Sequence, residues 1–489
     1  MIGKGYDISP HGLSGSCMNL AQKWLQDCSQ GKGKHAKCPQ AVQTELPTRV
    51  IDIEEMRLHC PAPEVKGLWV SLSHCWGGSS PLQTTTGNLE SHMARLPDPL
   101  PQTFADAVAV TRMLGLRYLW IDSLCIIQDS HEDWVHESAH MATVYENAYV
   151  TISADAAKDS FQGFLSAPSR SVRKEAEIDY TYVDEAENEQ HHVIHVRERG
   201  KLALMLPYHD WIDRPRRRPR YADSYHGEPP DNGQQLPFSR LSTRGWVFQE
   251  RILAPRTLHF ARSEMAWECR SICDCECSAT SYRSVRNTSL LKYWLSDLHQ
   301  PDENHSYWRT EIVPEYSRLN LTHETDRLVA LAGLAEAIKR KRPDDVYLVG
   351  LWKNTFIWDL LWCVHGGESS RLKPTVAPTW SWASVTGSVV YPLTERKTTS
   401  HLGHNMCAKF QIRTSIVESA QQLVLSGYTI ATQLQTPSRT AGNDVYLEML
   451  PCELAGHIYI TNLFASWLCA GSTMVHVASY FARHAENKV

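Results

Sequence analysis

The chain has 489 residues, of which 42% are hydrophobic and 21% charged, an ordinary globular composition that can bury a large core. At about 150 residues per domain, this length corresponds to two to four units. A net charge of −5 and a pI near 6.5 supply no basic surface for a polyanion, so no nucleic-acid partner is expected.

Met1 to Leu20 lacks the apolar run of a secretory signal. The fourteen cysteines, without regular spacing, then read as reduced thiols of a cytoplasmic protein rather than a disulfide framework. Residues 458–481 carry no formal charge, yet they contain Thr, Asn, Ser and His, which are expensive in lipid. A buried strand and helix is expected there, and no membrane partner. The sixteen tryptophans are read chiefly as core packing.

In chain order, Leu68 to Ser73 is a short apolar run ending at His74-Cys75-Trp76-Gly77-Gly78, which predicts a buried strand feeding a glycine-bearing loop. Thr103, with Asp106 three residues on, predicts a capped helix that keeps its spacing through Phe104, Ala107, Val108, Thr111 and Leu114 until Gly115. Arg117 to Ile127 is apolar and β-rich, which predicts a central strand with Asp122 and Gln128 at or past its end. Ser130 predicts a second cap, with Glu132 and Asp133 complementing the helix dipole, and strand resumes at Tyr149 to Ser153. Alternating strand and helix implies a parallel sheet with helices on its faces. Ligands of such sheets bind beyond the carboxyl ends of the strands, here the loops 74–80 and 122–130.

Residues from about 170 to 237 read as an insertion with mobile parts, including the basic run Asp213 to Arg220, taken as a solvated loop. Arg244 to Arg251 predicts a short helix, followed by a hairpin (Thr257 to Phe260, then Met265 to Cys269). A helix is expected at 324–340 and a Trp-rich helical segment at 349–363.

Two motifs raise the question of metal. His136-Glu137-Ser138-Ala139-His140 matches HExxH, in which two histidines a turn apart hold zinc and the glutamate activates water. No third ligand is identifiable. Cys269, Cys273, Cys275 and Cys277 crowd one short segment without the separated CxxC pairs of a zinc finger, and a cysteine-rich loop is the simpler reading. No metal is assigned. There is no GxSxG, Walker A or GxGxxG motif.

Several segments in order resemble the fungal heterokaryon incompatibility (HET) family. They are LSHCWGG at 72–78, RYLWIDSLCIIQD at 117–129, DWVHESAHMATVYENAYVTISA at 133–154, RGWVFQER at 244–251, YLVGLW at 347–352 and APTWSWAS at 377–384. At position 74, where relatives often carry tyrosine, this chain has histidine. The resemblance implies a cell-death effector in non-self recognition, acting by self-association or under an upstream incompatibility sensor protein. It also implies a TIR-like fold, and some TIR domains cleave NAD with a glutamate on a helix after a central strand. Glu137 holds such a place, although it follows Trp134 by three residues where TIR enzymes usually have four. On that analogy Glu137 and Asp122 are the expected catalytic carboxylates. His74, Trp76, Gly77, Gly78, Trp134, Arg244 and Glu250 are the expected nucleotide-binding residues, with NAD as substrate.

The expected architecture is α/β: a TIR-like parallel sheet flanked by helices forms the HET core at 45–165, preceded by an N-terminal segment at 1–44. An insertion at 166–237 and the second part of the HET region at 238–384, an α+β region with helices and a hairpin, follow. A mostly β region closes the chain at 385–489. Two rival readings are an enzyme or accessory protein of fungal secondary metabolism, and a non-catalytic interaction module.

Overall fold

The computed structural model describes residues 8–78, 81–166, 175–183, 188–197, 239–262, 264–276, 307–364, 369–373 and 375–391, positions 291, 292 and 295, and four short strands within 423–460. The chain divides into two compact units, Met1–Leu298 and His299–Val489.

The first unit is built on one eight-stranded sheet. Its strands are β1 (Val50–Asp52), β2 (Arg57–His59), β3 (Trp69–Ser73), β4 (Tyr118–Trp120), β5 (Val150–Ser153), β6 (Arg256–Phe260), β7 (Met265–Cys269) and β8 (Cys273–Cys275), in the order β8-β7-β6-β5-β3-β4-β1-β2. The four central strands, β4, β3, β5 and β6, run parallel, and the pairs on either side are antiparallel. The sheet is therefore mixed rather than purely parallel. The central strands read as continuous apolar runs because both faces are covered, and β3, β5, β6 and β7 are buried at every position. The two polar side chains facing each other across the middle, Ser71 and Thr151, satisfy one another at 2.8 Å.

Its main helices are α1 (Gly15–Ser29), α2 (Leu89–Ala94), α3 (Gln102–Met113), α4 (Asp122–Cys125), α5 (His131–Asn147) and α6 (Gly245–Leu253). Ser14 caps α1 by accepting from the Cys17 amide, and Ser130 caps α5 by accepting from the Asp133 amide, as its sequence predicts. Thr103 does not cap α3. That helix starts at Gln102 after Pro101, and the Thr103 hydroxyl donates to the Asp159 carbonyl while Asp106 accepts from the Phe164 and Leu165 amides. Tertiary partners took both side chains from the local cap. The strand expected at 117–127 is also shorter than its apolar run. It stops at Trp120 because Asp122 turns its carboxylate onto the Ser123 amide at 2.8 Å and opens the single helical turn α4.

Trp69, Trp120 and Trp267 lie among the largest fully buried side chains of this unit. The N-terminal segment is part of the same body: Trp24 of α1 packs its ring 6.2 Å from that of Trp267 and donates its indole N–H to Asp274 at 3.2 Å. The described part of the 166–237 insertion is a hairpin of Glu175–Val183 and Glu189–Arg197. The basic run 213–220 and Cys277 lie outside the described residues. No helix among the described residues is long and apolar enough to cross a membrane.

In the second unit the helix expected at 324–340 is a short 3-10 turn, Glu324–Arg327, followed by the α-helix Val329–Lys339. The segment 349–363 is less helical than its spacing suggests. It holds a two-residue strand (Leu351–Trp352), one helical turn (Phe356–Asp359) and another short strand (Cys363–Val364). Its tryptophans pack a local core instead of a helix face. The ring of Trp308 meets that of Trp352 edge-on at 5.7 Å, and Trp308 and Trp382 both donate their indole N–H to the Gly350 carbonyl at 2.8 Å. The YLVGLW and APTWSWAS blocks therefore meet at one backbone carbonyl. Two further pairs of antiparallel strands, Leu423–Thr429 with Leu454–Ile460 and Thr432–Leu434 with Leu447–Met449, lie in the C-terminal region.

Gly350 has a φ of 96°, and a Cβ placed there would stand 2.8 Å from Trp382 Nε1. Gly350→Ala is expected to destabilise this unit by about 1–3 kcal/mol through strain and the displaced indole. Urea unfolding followed by tryptophan fluorescence measures it, and an unchanged midpoint would refute this account of the motif.

Candidate functional site at the carboxyl ends of the parallel strands

The four parallel strands end on one side of the sheet, and the chain leaves each of β3 and β4 with a polar residue. After β3 come His74, Cys75 and Trp76, and after β4 comes Asp122. The third contribution arrives from α6, whose preceding residue Arg244 donates to the His74 carbonyl at 2.7 Å. The buried face of α6 places Glu250 against Ser73, the last residue of β3, whose hydroxyl donates to the Glu250 carboxylate. Tyr145 of α5 closes the group from below, its phenol donating to the Leu72 carbonyl at 3.1 Å and lying beside Glu250.

The centre of the group is dry. The His74 side chain is 1% exposed and its ring meets Phe104 edge-on at 5.1 Å. Burial pushes its pKa down to about 4, against the pull of Asp122, so the imidazole is neutral at neutral pH. Neither ring nitrogen has a hydrogen-bond partner among the described residues, and the nearest carboxylate oxygen, on Asp122, is 3.7 Å from Nδ1. A neutral imidazole always carries one N–H and one lone pair, so an unmade bond here costs about 1–3 kcal/mol.

Glu250 is buried as well. Burial pushes its pKa up to about 7, helped by the negative charge of Asp122 and opposed by the Ser73 hydroxyl and Arg244. Asp122 is the wetter acid, with a side chain 22% exposed, and accepts the Trp76 indole N–H at 2.9 Å. Gly77, just beyond, has a φ of 84°, and a Cβ there would come within 2.5 Å of the Asp159 Cβ, so only glycine fits this turn. Gly78 faces open space.

Of the residues picked from sequence, the structure gathers His74, Trp76, Asp122, Arg244 and Glu250, with Gly77 and Gly78 at the rim. Two others stand apart. Trp134 stacks on His131, ring centroids 6.3 Å apart. Glu137 is buried, but in an ion pair: Arg49 approaches its carboxylate at 3.2 Å and that of Asp133 at 2.6 Å, while His136 Nδ1 lies 3.3 Å from Glu137. Arg49 also donates through Nε to the Cys125 carbonyl at 2.6 Å, and Asp133 accepts the Ile127 amide at 2.7 Å. This cluster therefore fastens both ends of the segment that follows Asp122. The histidines of the HExxH sequence lie side by side on an exposed face, ring centroids 4.4 Å apart and tilted by 32°, and do not converge with a third ligand among the described residues.

Ser73 and Tyr145 escape sequence reading because neither sits in a motif that marks it. A strand serine and a helix tyrosine acquire meaning only once Glu250 packs between them. A second buried network also has no sequence signature. His259 bridges Asp155 at 2.9 Å and Glu268 at 3.3 Å, and Glu268 takes Arg251 at 2.7 Å and Lys292 at 3.4 Å. Burial favours the neutral imidazole of His259, but the two carboxylates outweigh it and raise its pKa.

A mixed α/β unit with a buried polar cluster beyond the carboxyl ends of its parallel strands is the class that this geometry defines. Residues 69–250 match the family model described as Heterokaryon incompatibility protein (HET), a match that supports the HET family for this segment. The matched stretch runs from the first residue of β3 to Glu250, so its two ends supply the two halves of the cluster. No curated protein and no solved structure matches the chain.

Because Glu250 holds its proton in the folded state up to about pH 7, against an ordinary value of 4.5, the folded protein binds more protons than the unfolded chain across that window. Its contribution to stability is present below the unfolded value and is lost as pH rises through 7, on the order of 3 kcal/mol in all. Glu250→Gln is expected to remove this slope, so that the variant gains on the wild type between pH 5 and 8. Denaturant unfolding of both proteins across that range reads the difference, and parallel curves would show that Glu250 is ionised throughout.

Proposed function

We propose that this protein acts in a heterokaryon incompatibility-type response, as a cell-death effector whose working site is the cluster of His74, Trp76, Asp122, Arg244 and Glu250. The observation that carries this reading is the buried, unpartnered imidazole of His74 set between Asp122 and Arg244, at the end of the sheet where α/β folds take their ligands. The family match to 69–250 supports it, since the segment matched contains every member of the cluster.

The reaction proposed is hydrolysis of the bond between nicotinamide and ribose in NAD, giving nicotinamide, ADP-ribose and a proton. As that bond breaks, positive charge builds on the ribose carbon and its ring oxygen, and an adjacent carboxylate lowers the barrier. Asp122 is the group for this role, being wetter than Glu250 and oriented by the Trp76 indole. Trp76 offers a ring for stacking, Arg244 and the amides of Gly77 and Gly78 complement phosphate, and the buried His74 backs Asp122 from inside. Glu250, beneath, couples the site to pH. Glu137 is a positioning residue: through Arg49 it holds the turn on which Asp122 is presented. The order of the four parallel strands, in which the second lies beside the first and the third on its other side, is compatible with the TIR-like analogy.

The test uses the full chain. Its expression in a fungal host is expected to arrest growth, and Asp122→Asn to abolish the arrest with the unfolding midpoint little changed. Glu137→Gln is expected to weaken both stability and arrest. The purified protein incubated with NAD is expected to release nicotinamide, and Asp122→Asn to lower the rate at least about a hundredfold. Growth arrest without nicotinamide release would leave the effector and remove the NAD chemistry, in favour of a non-catalytic interaction module. Normal growth with soluble, folded protein would sink the effector itself.

A further inference from the structure

At the opposite end of the sheet from the carboxyl ends of the parallel strands, on the β7 side, a second cluster has nothing to do with the site above. Cys28 stands in the last turn of α1, His35 ends a 3-10 turn (Gly33–His35), Cys38 follows three residues later, and Cys269 is the last residue of β7. All four are buried, at 0%, 5%, 6% and 0% exposure, and their ligand-type atoms all lie within 4.8 Å of one another. We propose that these four side chains, Cys28, His35, Cys38 and Cys269, form a structural zinc site.

The dimensions are those of one tetrahedral ion. With Zn–S of about 2.3 Å and Zn–N of about 2.0–2.1 Å, the edges of the tetrahedron are about 3.8 Å between sulfurs and about 3.6 Å from sulfur to nitrogen. Cys269 Sγ is 3.4 Å from His35 Nδ1 and Cys38 Sγ is 3.9 Å from the same nitrogen. Ordinary hydrogen bonding does not account for this convergence, because Nδ1 has a single lone pair or a single proton in the ring plane and cannot serve two thiols at once. A cation that accepts all four lone pairs can.

The surroundings suit thiolates. The Ile272 amide donates to Cys269 Sγ at 3.4 Å, and the Ser271 hydroxyl lies 3.1 Å from Cys38 Sγ. Both donors come from the tight connection between β7 and β8, so the hairpin that presents Cys269 also supplies the outer hydrogen bonds that hold sulfur ligands in place. Three sulfurs and an imidazole select a soft or borderline ion over calcium or magnesium, and a four-coordinate closed set leaves no position for substrate. The set is also too compact for an iron–sulfur cluster, whose ligands straddle two or more irons. The ion's work is to tie the N-terminal segment to β7. Trp24 packing against Trp267 and Arg256 donating to the Pro39 carbonyl mark the same seam.

Sequence pattern hides this site. The run at 269–277 draws attention by its density, yet of its described cysteines only Cys269 belongs to the cluster, and its partners lie in the first forty residues in an unfamiliar spacing.

The full chain, purified without chelator, is expected to carry about one zinc by mass spectrometry of the metal content, with X-ray absorption at the zinc edge fitting three sulfurs and one nitrogen. Cys269→Ser and Cys38→Ser are expected to cut the zinc content at least about tenfold, whereas Cys60→Ser, an exposed thiol, retains it. Should the cluster variants fail to fold, the wild type decides alone: cobalt in place of zinc is expected to show the intense visible bands of a tetrahedral thiolate site. Either of two results overturns the proposal. One is a metal-poor native protein in which every thiol titrates free. The other is the loss of two thiols per chain on titration after denaturation, which would mean a disulfide instead.

Discussion

The first unit depends on one pairing, that of β6 with β5. Thr257, Leu258 and His259 align in parallel with Thr151, Ile152 and Ser153, although a long stretch of chain separates the two strands. Parallel neighbours require a crossover, and the crossover delivered here ends in α6. Because α6 must pack on the sheet before β6 can enter it, Glu250 is carried onto the end of β3 and Arg244 onto the loop after it. The polar cluster is thus a consequence of topology: without the β5–β6 register, the two ends of the segment 69–250 would present unconnected surfaces.

The same pairing explains why charge collects under the sheet's other end strands. Once β6 is central, His259 and Thr257 are buried, and the carboxylates of Asp155 and Glu268 have to be matched within the protein. Arg251 on α6 and Lys292 do so, which makes the helix that bears Glu250 answerable to two networks at once, one along each side. Removing one charge from such a network leaves its partner buried and unmatched, which costs more than the pair contributes in stability. Glu250 is kept at a raised pKa because α6 holds it on its buried face, against Ser73 and away from water.

Much of this was legible in the residues, in proportion to how local the determining physics is. The strand at 69–73, the cap at Ser130, the helix after Arg244 and the hairpin at 256–269 follow from periodicity, side-chain capping and turn chemistry over a few residues. The errors arise where a distant partner decides. Thr103 and Asp106 look like a helix start until residues 159–165 take their hydrogen bonds, and the run 117–127 looks like one strand until Asp122 folds back on Ser123. Five residues of the cluster, His74, Trp76, Asp122, Arg244 and Glu250, stand out in the sequence as polar or aromatic positions in the motif blocks. Glu137 shows the limit of that method: helix position identifies a carboxylate near the sheet, but only the arrival of Arg49 from before β1 decides that it is matched by a cation.

That last point bears on how the two acids should be weighed. A carboxylate that stabilises a developing cation must not already be neutralised by a guanidinium, because the electrostatic advantage lies in charge that is free to act in the transition state. Glu137 and Asp133 share Arg49. Asp122 has a different set of direct contacts: an indole N–H, a backbone amide and a neutral imidazole at 3.7 Å, with no guanidinium paired to it among the described residues. Dipoles can hold a carboxylate in place while leaving its charge available. For the reaction proposed, then, the acid at the end of β4 is the better suited of the two, and the ion pair around Arg49 fixes the segment that follows it.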